Sequence, residues 1–366
     1  MISGSRIEVC KRRGDRMAAT ALDTLRGSDS TRWSNIAGAK VLSDQKRTEL
    51  NNLAGDLLTT DEGTLIIFGS LARDEYTAGS DLDWTVLIDG RADSRHFEVV
   101  RQVKERLEGR FGKPGPTEVF GSLVFSHDLV HLIGGDDDTN KNMTRRLLLL
   151  LESTPIGSST SRQVHERIVN VVLNRYVEED ASFIRGNRRS DRIPRFLLND
   201  VVRFWRTIAV DYANKYRARG GDKWALRNIK LRMSRKLIFT SGLLMCITWA
   251  LREADGSDDA LLAPKIVTHL TEWTRRPPLE SLAMVIHRHA PELADEVFDN
   301  YDAFLALLND QEQRGHLEKL SPEDAYADAD FLAARDRAIK FDQALTKLLF
   351  EADPGISSLV KTYGVF

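Results

Sequence analysis

Apolar residues follow two different rhythms along this chain. Up to about residue 135, short β-branched runs alternate with charged helical stretches. From Asn142 onward the apolar positions recur every three to four residues almost to the C-terminus. In the first part, Leu50, Leu53, Leu57 and Leu58 predict a helix over 43–58 with Ser43 as its N-cap. The run Thr64-Leu-Ile-Ile-Phe68 predicts a short strand ended by Gly69, and 82–88 predicts a second, closed by Asp89-Gly90. A charged amphipathic helix is expected over 96–111, stopping near Gly112 ahead of Pro114, Gly115 and Pro116. The stretch 123–133 fits either a third strand or a short helix. In the second part, helices are expected over 143–152, 163–177, 196–216, 224–251, 261–273, 279–289, 292–308 and 325–350. No repeat of fixed period is present. The expected fold class is α+β: a poorly patterned arm (1–40), a small α/β domain with a mixed sheet (41–135), and a larger all-helical domain (136–366).

With 366 residues the chain can bury a sizeable core in each of two domains, and 42% hydrophobic with 29% charged residues is the balance of a soluble globular protein. Cys10 and Cys246 lie far apart, outside any CxxC or Cys/His cluster, so neither a disulfide framework nor a zinc site is expected and a reducing cytoplasm fits. The basic first twenty residues lack an apolar run, so no secretory leader is expected. The apolar stretch 237–251 is broken by Thr240, Ser241 and Gly242 and is shorter than the roughly 20 residues of a membrane span; it reads as a buried core helix. The net charge of −2 hides a basic segment over 185–235 and an acidic one over 292–353. That balance does not mark a nucleic-acid binder, but it leaves room for a local basic surface facing a polyphosphate.

One stretch carries chemistry: Phe68-Gly-Ser-Leu-Ala-Arg-Asp-Glu-Tyr-Thr-Ala-Gly-Ser-Asp-Leu-Asp-Trp-Thr-Val-Leu-Ile88. Alternate residues of a strand share a face, so Asp81, Asp83 and Thr85 point one way while Leu82, Trp84 and Val86 point toward a core. Two carboxylates two residues apart can jointly ligate a hard divalent cation that keeps waters and phosphate oxygens. At Gly69 the missing Cβ lets backbone approach a phosphate, and the Ser70 hydroxyl with the amides after it can donate to phosphate oxygens. Arg73 either adds charge there or fixes the loop that carries Asp81.

This stretch resembles the signature of the polymerase-beta-like nucleotidyltransferase superfamily: Gly-Ser, about ten residues, then Asp-x-Asp between hydrophobics. The longer form GSLARDEYTAGSDLD is similar to the PII uridylyltransferase-like branch. The resemblance covers 64–88 well and the later helices loosely. It implies two-metal transfer of a nucleoside monophosphate from a nucleoside triphosphate, with release of pyrophosphate. Asp81 and Asp83 would hold magnesium, with manganese as the alternative, while Gly69, Ser70 and Ser80 contact the nucleotide. The family also supplies a third carboxylate from a later strand; Asp128 is the first candidate and Glu118 the second, with Asp128 equally readable as a helix cap or surface residue.

The basic helices offer further contacts. Asn199, Arg203 and Arg206 share one helix face, and Lys223, Arg227, Lys230 and Ser234 another, whereas Arg232, Arg235 and Lys236 lie elsewhere around that second helix. Interleaved Trp224, Leu226, Ile229, Leu231 and Met233 imply burial, so some cations must meet acidic residues or a polyphosphate. Arg227 and Lys230 are the leading nucleotide contacts, and ion pairs with Asp200, Asp211 or the acidic C-terminal helices are the alternative. The run Gly134-Gly-Asp-Asp-Asp138 reads as a turn before a helix, and Arg145 or Arg146 as a residue facing the cleft. The eight histidines form no HExxH or HD pair suited to a phosphohydrolase. The expected partners are a nucleoside triphosphate and a hydroxyl acceptor, protein or small molecule ahead of RNA, with no membrane. A nucleotide sensor and an oligonucleotide second-messenger synthase are the alternatives.

Overall fold

A computed structural model of the chain describes residues 19–58, 60–111, 119–178, 193–218, 223–252 and 262–364. The strand expected at 64–68 is β1 (Gly63–Phe68), and all six of its residues are buried. β2 (Asp83–Ile88) pairs with it antiparallel, Phe68 opposite Asp83 and Ile66 opposite Thr85. The undecided stretch after residue 122 contains both alternatives: β3 (Ser122–Phe125), parallel to β2, runs straight into a short helix (Ser126–Val130). A fourth strand, β4 (Ser153–Ile156), pairs antiparallel with the other side of β1, giving the order β3-β2-β1-β4 in a mixed sheet. β4 escapes the sequence pattern because Ser-Thr-Pro-Ile is short and polar; Pro155 is tolerated because it sits on an edge strand. The sheet therefore reaches residue 156, beyond the boundary expected at 135.

Each face of the sheet has its own core. Leu65, Ile67, Leu82, Trp84, Val86 and Ile88 pack against α2 (Ser34–Ala54) and α4 (Arg95–Leu107). Ile66, Phe68, Leu87 and Val124 join the opposite core with α5 (Ser126–Val130), α6 (Asn140–Leu151) and α7 (Ser159–Glu178). Between them, α3 (Gly69–Ala72) follows β1 directly. The helical part continues with α8 (Arg195–Ala218), α9 (Trp224–Lys230), α10 (Lys236–Ile247), α11 (Leu262–Thr274), α12 (Pro278–His289) and α13 (Ala294–Asn309). It ends with α14 (Gln311–Lys319), α15 (Pro322–Ala325), α16 (Ala329–Lys347) and α17 (Pro354–Leu359). α10 is buried almost residue for residue, as its apolar composition implied, and no helix among the described residues is long and apolar enough to cross a membrane.

Two departures have clear causes. The segment expected to be an arm is helical from α1 (Ala21–Arg26) onward and belongs to the folded body. The Ala21 amide donates to Glu280 on α12, and Trp33 is 4% exposed with its ring 4.9 Å from that of Phe298. Ser43 is therefore not an N-cap but a mid-helix residue; its hydroxyl donates to the Ala39 carbonyl and accepts from the Tyr76 amide, which satisfies it inside the core. The second departure is between α9 and α10, where the helix expected to be continuous widens into a π turn, Leu231–Arg235.

Candidate active site

β1 ends where Asp83 begins β2, and the chain turns into α3 through Gly69 at φ +70°. That left-handed backbone favours glycine, and the space matters equally: a Cβ there would lie 3.2 Å from Asp83 Oδ2. The Gly-Ser turn and the second aspartate thus meet at one end of the sheet. Asp83 is partly buried, and Asp81, two residues ahead of the strand and of the same parity, is exposed. Leu82 and Trp84, of opposite parity, are buried as expected. Behind Thr85 on the carboxylate face is an apolar hollow of about 20 Å³ bounded by Phe68, Phe120, Arg145 and Leu148. A hollow that size holds one water at most, so a nucleotide has to approach from the open end of the sheet.

The loop that joins Ser70 to Asp81 is tied from several sides. Thr77 and Ser80 close a turn in which the Ser80 hydroxyl accepts from the Thr77 amide and the Thr77 carbonyl accepts from the Ser80 amide. Ser80, expected at the nucleotide, is thus engaged as a turn former. Ala78 donates to Asn309 Oδ1 at the end of α13. Arg73 is corrected more strongly. It is 5% exposed and its guanidinium is taken by Glu75 at 2.9 Å and by Glu152, which also accepts from Arg235 at 3.1 Å. Burial alone would lower the guanidinium's pKa; Glu75 and Glu152 outweigh it and hold it fully charged. Burial raises the Glu75 carboxyl, with Arg73 opposing. Arg73 therefore ties Glu75, in the loop that leads to Asp81, to Glu152 at the start of β4 and through it to Arg235, and its guanidinium is held by these carboxylates.

Asp128 lies at the wrong end for a third ligand. β3 runs parallel to β2, so the α5 helix that follows Phe125 sits beside Ile88 and Asp89. Five residues of β2 at about 3.3 Å each separate that end from Asp83 by roughly 17 Å. Asp128 is half-exposed there beside His127 and serves at the start of a helix. β3 itself, Ser-Leu-Val-Phe, carries no carboxylate, and Ser122 accepts weakly from Arg145 at 3.5 Å. Glu118, the second candidate, and Cys10 lie outside the described residues.

Among the basic residues, Lys230 feels the charge of Asp81. Burial lowers its pKa to about 8, with Arg314 and Arg235 adding to the fall while Asp81 and Glu318 oppose it. Arg227, three residues earlier on α9, lies near the Tyr212 hydroxyl of α8. Residues five apart in an α-helix point roughly 140° away from each other, and the π turn after Lys230 narrows that angle, which lets Arg235 share its side. Of the other cations, Lys223 binds Glu318 at 2.8 Å and Lys236 binds Asp342, as the ion-pair alternative expects, while Arg203 donates to Asn140 and the Asp138 carbonyl. Arg146 faces no cleft; it is fully buried among Asp138, Asp200 and Tyr176, so the Asp-rich turn is structural.

Two further features are a hollow at this same end of the sheet, where Ser153 of β4 stands opposite Phe68, and a surface cluster of one histidine and two aspartates. A polar cleft of about 260 Å³ opens beside β4, bounded by Arg47, Asp74, Ser153, Arg275 and Arg276. Ligand atoms of His316, Asp328 and Asp330 lie within 4.8 Å of one another at the surface, where Asp328 caps α16 through the Phe331 amide.

Glu152, Arg235 and Arg314 were not singled out as site residues from sequence. The first ends an apolar helix, the second was placed off the cationic face by straight-helix geometry, and the third stands in an acidic segment; no local pattern marks any of them.

Residues 50–123, about one fifth of the chain, match the family model of the nucleotidyltransferase domain. The match spans β1, the Gly69-Ser70 turn, both aspartates and β2, and it supports the polymerase-beta-like superfamily. No curated protein matches the chain. No solved structure matches it either.

Proposed function

We propose that the chain transfers a nucleoside monophosphate from a nucleoside triphosphate to a hydroxyl acceptor, with Asp81 and Asp83 as the metal ligands. The observation that carries this reading is the meeting of Gly69 and Asp83, where a Cβ on the glycine would lie 3.2 Å from the carboxylate, with the charge of Lys230 coupled to that of Asp81. The donor set fits a hard cation: two carboxylates of one parity at an open sheet end, beside a glycine whose missing side chain leaves room for phosphate. Magnesium or manganese bound there would neutralise phosphate charge and help align the reacting oxygens. Gly69 and Ser70 offer backbone and hydroxyl donors to the triphosphate, and Lys230 adds a cation whose charge couples to Asp81. The acceptor hydroxyl gives its proton up to solvent as its oxygen bonds to the α-phosphorus, the bond from that phosphorus to the oxygen bridging to the β-phosphate breaks, and pyrophosphate leaves. Acceptors of protein or small-molecule type are favoured over RNA because the net charge is only −2 and the sequence carries no recognised RNA-binding module.

The test is incubation of the purified protein with each labelled triphosphate and magnesium, with and without cell extract, beside an Asp81→Ala/Asp83→Ala variant. Label should appear in an acceptor or a nucleotide product, and the double variant should lose it by roughly a thousandfold or more, since metal stabilisation of a transition state amounts to several kcal/mol. Because β3 has no carboxylate, and the end of β2 beside which Asp128 follows β3 is roughly 17 Å from Asp83, a nucleotide sensor with weak turnover is the second reading. Triphosphate binding without magnesium-dependent pyrophosphate release would favour it.

A further inference from the structure

Gly79 does not have a positive φ, so nothing in its backbone calls for glycine. What calls for it is Arg314. A Cβ on Gly79 would lie 2.6 Å from Arg314 Nη1, 2.7 Å from Cζ and 3.0 Å from Nε, and these are its three nearest atoms. The guanidinium therefore lies flat on the loop that delivers Asp81, although 235 positions of sequence separate the two residues. Its side chain is only 12% exposed, and its Nε donates to Glu318 at 3.2 Å. Glu318 also holds Lys223 at 2.8 Å, at the very start of α9, the helix of Arg227 and Lys230. One residue before Gly79, the Ala78 amide donates to Asn309 Oδ1, so α13 and α14 together grip two consecutive residues of the loop.

We propose that Arg314 is a positioning residue of the metal site: seated on Gly79, it fixes the Asp81 loop and couples it, through Glu318 and Lys223, to the helix that carries Lys230. This rests on the nucleotidyltransferase reading above and adds to it a part of the chain outside the matched domain. The physical need is plain. Asp81 is exposed and lies ahead of the regular strand, so β2 pairing alone does not fix it as it fixes Asp83. A planar guanidinium can lie along backbone and still reach a carboxylate edge-on, which a lysine ammonium cannot do.

The test uses the full-length protein. Manganese binding is measured without nucleotide by electron paramagnetic resonance, and the magnesium dependence of turnover is measured beside it, for the wild type, Arg314→Ala, Arg314→Lys and Gly79→Ala. Gly79→Ala displaces the guanidinium while keeping its charge. Arg314→Ala and Gly79→Ala should both raise the half-saturating metal concentration by about tenfold, the scale expected when support around metal-ligating carboxylates is lost. Rate should recover at saturating metal, and Arg314→Lys should restore affinity only in part. Unchanged metal affinity in both variants overturns the proposal, as does a lowered Tm accompanied by wild-type affinity per folded molecule. If instead the wild type itself binds no manganese, or Asp81→Ala/Asp83→Ala binds it equally well, the metal-site reading falls and this proposal with it.

Discussion

Arg146 illustrates how a single residue can hold two parts of a fold in register. It is 0% exposed, yet its charge is matched: Nη2 lies 2.8 Å from both Asp138 and Asp200, and Nε donates to the Tyr176 hydroxyl at 2.6 Å. These partners come from the turn before α6, from α8 and from α7. Removing the cation leaves two buried carboxylates facing each other. Arg146→Met should therefore cost about 3–5 kcal/mol of unfolding free energy, the scale for breaking a buried ion pair from one side. Urea unfolding followed by circular dichroism measures it, and a loss below about 1 kcal/mol would show that the cluster can relax. The sequence showed Asp138 as part of a capping turn, but nothing local distinguished Arg146 from its exposed-looking neighbour Arg145.

At the level of elements, α1 and α2 make the sharper case. A segment with weak periodicity was expected to be loosely attached, yet Trp33 is buried against Phe298, and its indole nitrogen donates to Asp299 at 2.8 Å. The amides of Asn35 and Ile36 both donate to Asp302, so α13 supplies the cap that α2 lacks in its own sequence. Partners more than 260 positions away cannot be read from a local window. Trp33→Ala should destabilise the whole protein by about 3–5 kcal/mol, as large-to-small changes of buried aromatics do. If α2's first turns were an appendage, the same substitution would leave the urea midpoint in place. Gly69, by contrast, was legible, because a glycine between a strand and a serine already suggests a turn; its φ of +70° and the nearness of Asp83 give the reason.

For the molecule as a whole, two histidines with lowered pKa values, His269 buried and His165 partly so, set an acid limit on stability. Burial holds the His269 pKa down to about 4, with Arg252 adding to the effect, and burial does the same to His165, which bonds the Ser153 hydroxyl. In the unfolded chain both return to about 6.5. The fold thus favours the neutral form, so their contribution is complete above about pH 6.5 and is lost as the pH falls toward 4. His269, 6% exposed, should account for a loss on the order of 3 kcal/mol across that window. Urea midpoints measured from pH 7.5 to 4.5 should fall, and His269→Gln should flatten the slope in that range; an unchanged slope in the variant would show that other groups set the limit.

Short-range pattern determined the fold class, the first two strands, the buried helix at α10 and the pairing of Gly69-Ser70 with Asp81 and Asp83. The fold class follows from the change of rhythm near residue 142, and the others depend on residues within about twenty positions of one another, where alternation and turn chemistry are strong. Tertiary structure alone decided the surroundings of Arg73, Asp128, Arg146 and Arg314. A charged side chain has no preferred face of its own: its place is set by which opposite charge or backbone shares its burial, and here those partners stand from two to 235 positions away. β4 belongs to the same class, since an edge strand of four residues is held by β1's unpaired side and not by its own sequence.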